Sequence, residues 1–303
     1  MSADNMLDAC ILPLSPTSHK GSSGRIGVLG GNERYTGAPY YAGMASLHVG
    51  ADLAFVFCAE EAALAIKSYS PELMVAPVYS AREFKQNVDK KDEEVLVNNM
   101  VKEVVSIMDR MHVLVIGPGL GRCPLVMKAT FSIMQKAMER NLCLIVDADG
   151  LYLLTLEPYR DMFRDYEKLV LTPNVMEYKR LLDVNDGDLS KAFSKAIIVK
   201  KGAQDVIYRE GKEVMVCDEE GGLKRSGGIG DVLAGTLGTF IAWNEILRES
   251  DKPVDRVWSC WCACYLVKRA TKYAYEKKGR SMTAPAVLES IWANVDDRTG
   301  PKP

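Results

Sequence analysis

Seven short apolar runs, rich in β-branched residues and each ended by glycine, proline or a charged residue, constrain this chain more than any other feature. They cover residues 25–30, 51–57, 73–78, 113–116, 142–146, 169–171 and 197–199. Their apolarity is continuous rather than alternating, which predicts strands covered on both faces, as in a parallel sheet. Helix-like stretches lie between them at 36–50, 93–109, 125–140 and 174–182; in the second, Val97, Val101, Val104, Val105 and Met108 recur at helical spacing. Strand and helix in alternation read as an α/β fold with right-handed crossovers. After Lys200 the pattern changes. Residues 204–208 and 213–217 flank a glycine turn and predict a β-hairpin, so the sheet is mostly parallel with an antiparallel edge hairpin. Helices are expected at 231–247, 254–276 and 285–295. The charge-rich stretch 85–94 reads as a solvated loop and helix start. No repeat or linker divides the chain, so residues 1–303 are expected to form one domain.

Composition excludes several classes. Thirty-eight basic and 40 acidic residues leave a net charge of −2, so no bulk positive field exists for nucleic acid or an anionic membrane. Three histidines (His19, His48, His112) make a multi-histidine metal cage improbable. The eight cysteines show neither C-x₂-C pairs nor a disulfide framework, because Cys260, Cys262 and Cys264 are spaced by single residues; buried, reduced thiols are expected. Residues 1–20 lack the apolar core of a signal peptide and carry no arginine, and the longest apolar stretch, 257–267, is too short to span a bilayer. A soluble, intracellular protein is expected.

The functional signal lies in where the glycines fall. Three clusters each follow a predicted strand: Gly30-Gly31 with Tyr35-Thr-Gly-Ala-Pro39, Gly117-Pro-Gly-Leu-Gly121, and Ser226-Gly-Gly-Ile-Gly-Asp231. Ligands of open α/β sheets sit beyond the carboxyl ends of strands, where glycine lets backbone amides approach an anion and a helix start adds unpaired donors. A tight strand-to-helix turn also needs glycine, so the second cluster alone fits either reading. It is not G-x-G-x-x-G, and no Walker loop is present. The third cluster runs into Asp231 at a helix start. An aspartate there is commonly a cap or first-turn residue. Beside an anion hole it is also what phosphoryl transfer to a hydroxyl requires: the carboxylate takes the proton while amides take up phosphate charge.

At this cluster the sequence resembles the ribokinase-like superfamily, and within it the ATP-dependent NAD(P)H-hydrate (NAD(P)HX) dehydratases. The resemblance covers about residues 20–295, leaving 1–19 as an N-terminal extension. It is carried by Lys20-Gly-Ser-Ser-Gly-Arg-Ile-Gly-Val-Leu-Gly-Gly31, Tyr35-Thr-Gly-Ala-Pro-Tyr40, Gly50-Ala-Asp-Leu53, Ser68-Tyr-Ser-Pro-Glu-Leu73 and Gly117-Pro-Gly-Leu-Gly121. Further segments are Asp147-Ala-Asp-Gly-Leu151, Leu171-Thr-Pro-Asn174 with Glu177, Lys201-Gly-Ala-Gln-Asp205 and Gly227-Gly-Ile-Gly-Asp-Val-Leu-Ala-Gly235. Each is weak alone; their order and spacing make them specific. The resemblance implies a three-layer α/β/α fold and dehydration of the S epimer of hydrated NADH and NADPH, with ATP as co-substrate and magnesium on its phosphates. ATP would phosphorylate the 6-hydroxyl, and the ring nitrogen would then push phosphate out.

The same resemblance implies that Asp231 is the catalytic base. The hydrated cofactor would be held by Gly119, Asn174, Val175, Met176, Glu177, Tyr178, Lys179, Arg180 and Asp231. ATP would be held by Lys201, Gly202, Ala203, Gln204 and Asp205, and by Gly221, Gly222, Leu223, Lys224, Arg225, Ser226, Gly227, Gly228, Ile229 and Gly230. On the residues alone, Lys201 also fits a solvated strand end, Asn174 and Glu177 a helix start, and Asp147 and Asp149 either the site or a helix cap. Two departures from the family pattern stand out: Ile229, where a polar residue is common, and Ala76, where histidine is. The resemblance further implies a cytoplasmic or organellar location and work alongside an NAD(P)HX epimerase, and it is compatible with a homo-oligomer. A small-molecule kinase of the same fold, or a non-catalytic nucleotide-binding subunit, would share the third glycine cluster.

Overall fold

A computed structural model of the chain describes residues 2–291 and 293, apart from 87, 88, 158 and 251. The elements run α1 (Ala3–Cys10), β1 (Arg25–Leu29), α2 (Gly37–Val49), β2 (Leu53–Ala59), α3 (Glu60–Tyr69), β3 (Met74–Tyr79), α4 (Lys90–Met108), β4 (Val113–Ile116), α5 (Pro124–Glu139) and β5 (Cys143–Val146). They continue α6 (Ala148–Leu153), β6 (Leu169–Leu171), α7 (Val175–Asp183), α8 (Leu189–Ala192), β7 (Ile197–Lys200), β8 (Asp205–Arg209), β9 (Lys212–Cys217), α9 (Ile229–Glu249), α10 (Arg256–Lys278) and α11 (Ala284–Ile291).

Among the described residues the strands form one sheet in the order β3-β2-β1-β4-β5-β6-β7-β8-β9. Strands β1 to β7 pair in parallel, and β8 and β9 continue antiparallel, as the switch from continuous to hairpin-type patterning predicts. Every residue of β4, β5 and β6 is buried, which explains their unbroken apolarity. Helix α9 packs on α2, α10 and α11 over one face, while α4 and α5 pack together on the other. The result is the expected three-layer α/β/α arrangement. Chain order reverses between β1 and β4, so the loops leaving these two strands diverge and open a crevice at their carboxyl ends.

The structure adds four helices, α1, α3, α6 and α8, to the stretches expected from sequence. Within the N-terminal extension, α1 is capped by the Ser2 side chain and packs on α10, burying Met6, Leu7 and Cys10. Helix α3 is short, with only Ala62, Ala63 and Ile66 buried, too few for its period to stand out beside the strong strands around it. The expected loop and helix start at 85–94 holds α4, which begins at Lys90 with Asp89 as its cap. The helix expected at 285–295 is α11; residues 292, 294 and 295 lie outside the described residues. All eight cysteines are free thiols, seven of them buried and Cys123 half-buried. Among the described residues no helix is long and apolar enough to cross a membrane.

Candidate active site

The site assembles where β5, β6 and β7 end and α9 begins. Gly228 caps α9 with φ +92°, in the left-handed region, and a Cβ there would lie 2.8 Å from Ala284 and Tyr41, so only glycine fits. The Val232 amide donates to the Gly228 carbonyl, which leaves the preceding amides unmatched within the helix. Asp231 stands in this first turn. Gly117, with φ +120°, brings the β4–α5 loop against the Asp147 carbonyl, where an added Cβ would lie 1.8 Å away. Its glycine is required by close approach of two loops, and that approach places Asp147 at the site.

Four charged groups converge. Asp147 is 2% exposed; its Oδ1 accepts from Lys201 Nζ at 2.6 Å and from Thr172 Oγ1 at 2.8 Å. Lys201 is fixed through its backbone amide, which donates to the Pro173 carbonyl at 2.8 Å, and its ammonium passes beside Gly230. Burial alone would depress the Lys201 ammonium, but the carboxylates of Asp147 and Glu177 outweigh it and hold its pKa above the ordinary value. Asp231 is pushed up to about 7, first by burial and then by the charge of Asp147, with Lys201 opposing and Glu177 adding to the rise. Burial also raises Glu177, against the pull of Lys201. A carboxyl poised near neutrality beside unpaired amides can accept a proton and release it again.

Two cavities meet at the start of α9. One, of 690 Å³, has Asp231, Gly228, Gly119 and Asp149 in its wall and lies over the crevice between β1 and β4. The other, of 580 Å³, lies on the far side of the helix start, with Lys201, Arg225, Gly230, Leu233 and Lys268 among its lining. Its walls are pinned from α10. Lys268 Nζ donates to the carbonyls of Gly202 and Ala203 and lies 3.6 Å from Asp205, whose Oδ1 accepts from the Gly202 amide. Thr271 Oγ1 accepts from the Gly222 amide at 3.1 Å, and Arg225 donates to the Gly222 carbonyl.

Comparison with known proteins is decisive at this point. Residues 26–293 match the NAD(P)H-hydrate dehydratase family. An Entamoeba histolytica protein named ATP-dependent (S)-NAD(P)H-hydrate dehydratase is 39% identical over 307 residues, spanning 99% of this chain and 96% of that one. The chain belongs to the NAD(P)H-hydrate dehydratase family. Among solved structures, a ribokinase-like superfamily protein from Enterococcus faecalis superposes with TM-score 0.69 at 22% identity, covering 99% of this chain and 96% of that one. The ADP/ATP-dependent NAD(P)H-hydrate dehydratase of Bacillus subtilis, co-crystallised with ATP and Mg2+, superposes with TM-score 0.66 at 20% identity, covering 98% and 97%. The fold is therefore ribokinase-like.

Within this family member the residues singled out from sequence fall into separate places. Gly119 and Asp231 share the larger cavity. Asn174 lines the other one, with Lys201, Gly202, Ala203, Asp205, Gly221, Gly222, Lys224, Arg225, Ser226, Ile229 and Gly230. Gln204, Leu223, Gly227 and Gly228 stand in the same loops but outside that lining, Leu223 being exposed and Gly228 in the wall of the larger cavity. Asn174 and Glu177 form a complete capping box on α7, so the helix-start reading and a place beside Lys201 hold together. Val175, Met176, Lys179 and Arg180 are exposed on α7. Tyr178 turns toward the edge hairpin, stacked on Tyr208 and under Lys200.

Of the two aspartates left open, neither side chain caps α6. Asp147 faces Lys201, and Asp149 accepts from the Gly121 amide and pairs with Arg122 at 2.9 Å. Ala148 between them has φ +47°, so the backbone twist sends the two carboxylates to different partners. Ile229 lines the smaller cavity beside Leu233 and gives it an apolar wall; Ala76 lies on edge strand β3 and lines neither cavity. Sequence reasoning missed Thr172, Lys268 and Thr271. Thr172 follows β6 in a segment the family pattern already marks, but Lys268 and Thr271 sit within an ordinary-looking helix and carry no motif.

Proposed function

We propose that this chain is an ATP-dependent (S)-NAD(P)H-hydrate dehydratase that returns hydrated NADH and NADPH to the reduced cofactors. The observation that carries the reading is Asp231, a carboxyl raised to about 7, in the wall of one cavity at the amide-rich start of α9, with the neighbouring Gly230 in the wall of the other. One cavity suits the hydrated nicotinamide and the other the nucleotide. Gly119 and Asp231 would contact the hydrated cofactor. The loop from Lys201 to Asp205 and the loop from Gly221 to Gly230 would hold ATP, with Lys201 and the amides facing its phosphates. Asn174 and Glu177 would stand where the two ligands meet.

The chemistry balances in two steps. The 6-hydroxyl oxygen attacks the γ-phosphorus, Asp231 takes the hydroxyl proton, and ADP leaves. The lone pair of the ring nitrogen then expels phosphate from C6. Loss of a proton from C5 restores the dihydronicotinamide. Hydroxide, a poor leaving group, is thus replaced by phosphate. Magnesium supplies charge neutralisation on the phosphates when bound; oxygen donors suit it, and Asp147, Glu177 and Asp231 are the carboxylates on hand. A cytoplasmic or organellar site of action, and work alongside an epimerase that supplies the S form, follow from the same reading.

A true small-molecule kinase would share the first step and stop at the phosphorylated alcohol. Incubating the protein with ATP, magnesium and hydrated NADH while following dihydronicotinamide absorbance separates the two. Recovery of the absorbance with ADP release supports the dehydratase. ADP release without recovery, or neither, overturns it.

A further inference from the structure

One turn of α10 holds both loops of the 580 Å³ cavity, with side chains whose polar groups are engaged by those loops. The helix is fastened to the edge hairpin, where Trp261 Nε1 donates to the Val216 carbonyl at 3.0 Å. Two turns on, Lys268 reaches the loop between β7 and β8. An ammonium has three donors. Here two go to the carbonyls of Gly202 and Ala203, and the Asp205 carboxylate, with Oδ2 at 3.6 Å, occupies the third. Asp205 is 4% exposed and begins β8, so the sheet fixes its backbone. Its Oδ1 accepts from the Gly202 amide at 2.8 Å, and the Lys201 amide donates to Pro173. Two of the loop's amides are therefore spent inside the protein. Three residues along the same face of α10, Thr271 Oγ1 donates to the Lys268 carbonyl at 2.7 Å and accepts from the Gly222 amide at 3.1 Å. A Cβ at Gly222 would lie 2.5 Å from the Thr271 carbonyl oxygen, so the second loop is seated directly on the helix.

A loop whose polar groups are already engaged meets a ligand by where it is held. We propose that Lys268 and Asp205 are positioning residues: their buried ion pair sets the loop from Lys201 to Gln204, Thr271 sets the facing loop from Gly221 to Arg225, and this turn of α10 thereby fixes the width of the nucleotide cavity. Asp205, which the family resemblance implies holds ATP, then acts through its loop rather than on the ligand. If ATP lies where the proposed function puts it, on which this assignment depends, loosening the turn weakens nucleotide binding and spares the hydrated-cofactor side. Neither Lys268 nor Thr271 lines the 690 Å³ cavity. Loops fixed in advance spare binding the entropic cost of ordering them.

Isothermal titration calorimetry of the full chain with ATP and magnesium, without hydrated substrate, reads the effect apart from turnover. Lys268→Met and Asp205→Asn should each raise Kd about tenfold, the order of one charge-assisted hydrogen bond. The double variant leaves no buried charge unpaired, and it should also raise Kd about tenfold, because both changes release the same loop. Lys268→Arg keeps the cation and should stay within about threefold of wild type. In turnover, KM for ATP should follow these Kd values while KM for hydrated NADH stays within about twofold, a split that general loss of structure would not give. A double variant weakened about a hundredfold, the product of two independent contacts, overturns the proposal. So does an unmoved Kd in the double variant, whether or not Lys268→Met folds alone. A wild type that binds no ATP overturns the nucleotide site and the proposal with it. The expected Kd values without turnover sink the dehydratase reading and support the proposal.

Discussion

Asp231→Asn should abolish turnover and at the same time make the protein more stable at neutral pH. The wild-type carboxyl is pushed up from an ordinary 3.8 to about 7 in the folded chain. A folded-state value above the unfolded one means that folding favours the protonated form. The stability this contributes is fully present below about pH 4 and is lost as the pH rises to 7. A rise of that size corresponds to on the order of 4 kcal/mol once the group must ionise. Asparagine keeps the shape and never ionises. The variant should therefore match the wild type near pH 4 and exceed it at pH 7.5. At about 2–4 °C per kcal/mol for a large domain, the gap is several degrees in Tm. Thermal melts of both proteins from pH 4 to 8, without nucleotide, measure it. Equal or lower stability of Asp231→Asn at pH 7.5, or a gap independent of pH, would refute the claim that burial and Asp147 strain this carboxylate. Full retained turnover would refute its role as the base.

Further outcomes follow from the same geometry. If Asp231 must be ionised to take the proton, kcat/KM should rise with pH through a midpoint near 7, and Glu177→Gln should lower that midpoint because Glu177 contributes to the rise; a pH profile of each protein decides. Lys201→Met leaves the 2%-exposed Asp147 without its ionic partner, so denaturant unfolding should show a loss of about 3–5 kcal/mol, and any residual activity should have its midpoint moved higher. Gly235→Ala puts a Cβ 1.9 Å from the Ala42 carbonyl oxygen, where α9 crosses α2. Despite alanine's better helix propensity it should cost about 3 kcal/mol or more in the same assay. ATP with magnesium should raise the wild-type Tm in a concentration-dependent way, and Gly228→Ala, strained at φ +92°, should weaken that response.

What could be read in advance and what could not divides along a physical line. The strands of the sheet centre were legible because burial on both faces makes their apolarity continuous, as in β4 and β5. The hairpin was legible because Gly211, at φ +73°, is the kind of residue its turn demands. Helix α1 was not, since its three buried residues serve as a lid on α10 and the neighbouring α9. At the site, Asp231 and the third glycine cluster could be read from the chain. The pairing of Lys201 with Asp147 joins residues 54 positions apart and could not. Lys268 and Thr271 are hidden for a related reason: they act on the backbone of a distant loop, so nothing near them in sequence has to be unusual.

The glycines show why a nearly neutral chain is suited to two polyanionic ligands. Around Asp231 stand two further carboxylates, Asp147 and Glu177, against the single ammonium of Lys201. Such a set repels a bare triphosphate and, by the same sign, a triphosphate would push Asp231 above 7 and keep its proton on. If Asp231 is the base and must be ionised at neutral pH, charge that arrives with the nucleotide would add to what Lys201 supplies beside it and Arg225 and Lys268 supply in the neighbouring cavity. The amides at the start of α9 would bind phosphate oxygens without adding a full positive charge that would fix Asp231 in its ionised form. A metal carried on the phosphates would offset their charge only when ATP is in place. If so, the pH midpoint of kcat should fall as magnesium is raised from sub-saturating to saturating at fixed ATP. A midpoint that does not move with magnesium would mean that Lys201 alone holds the balance.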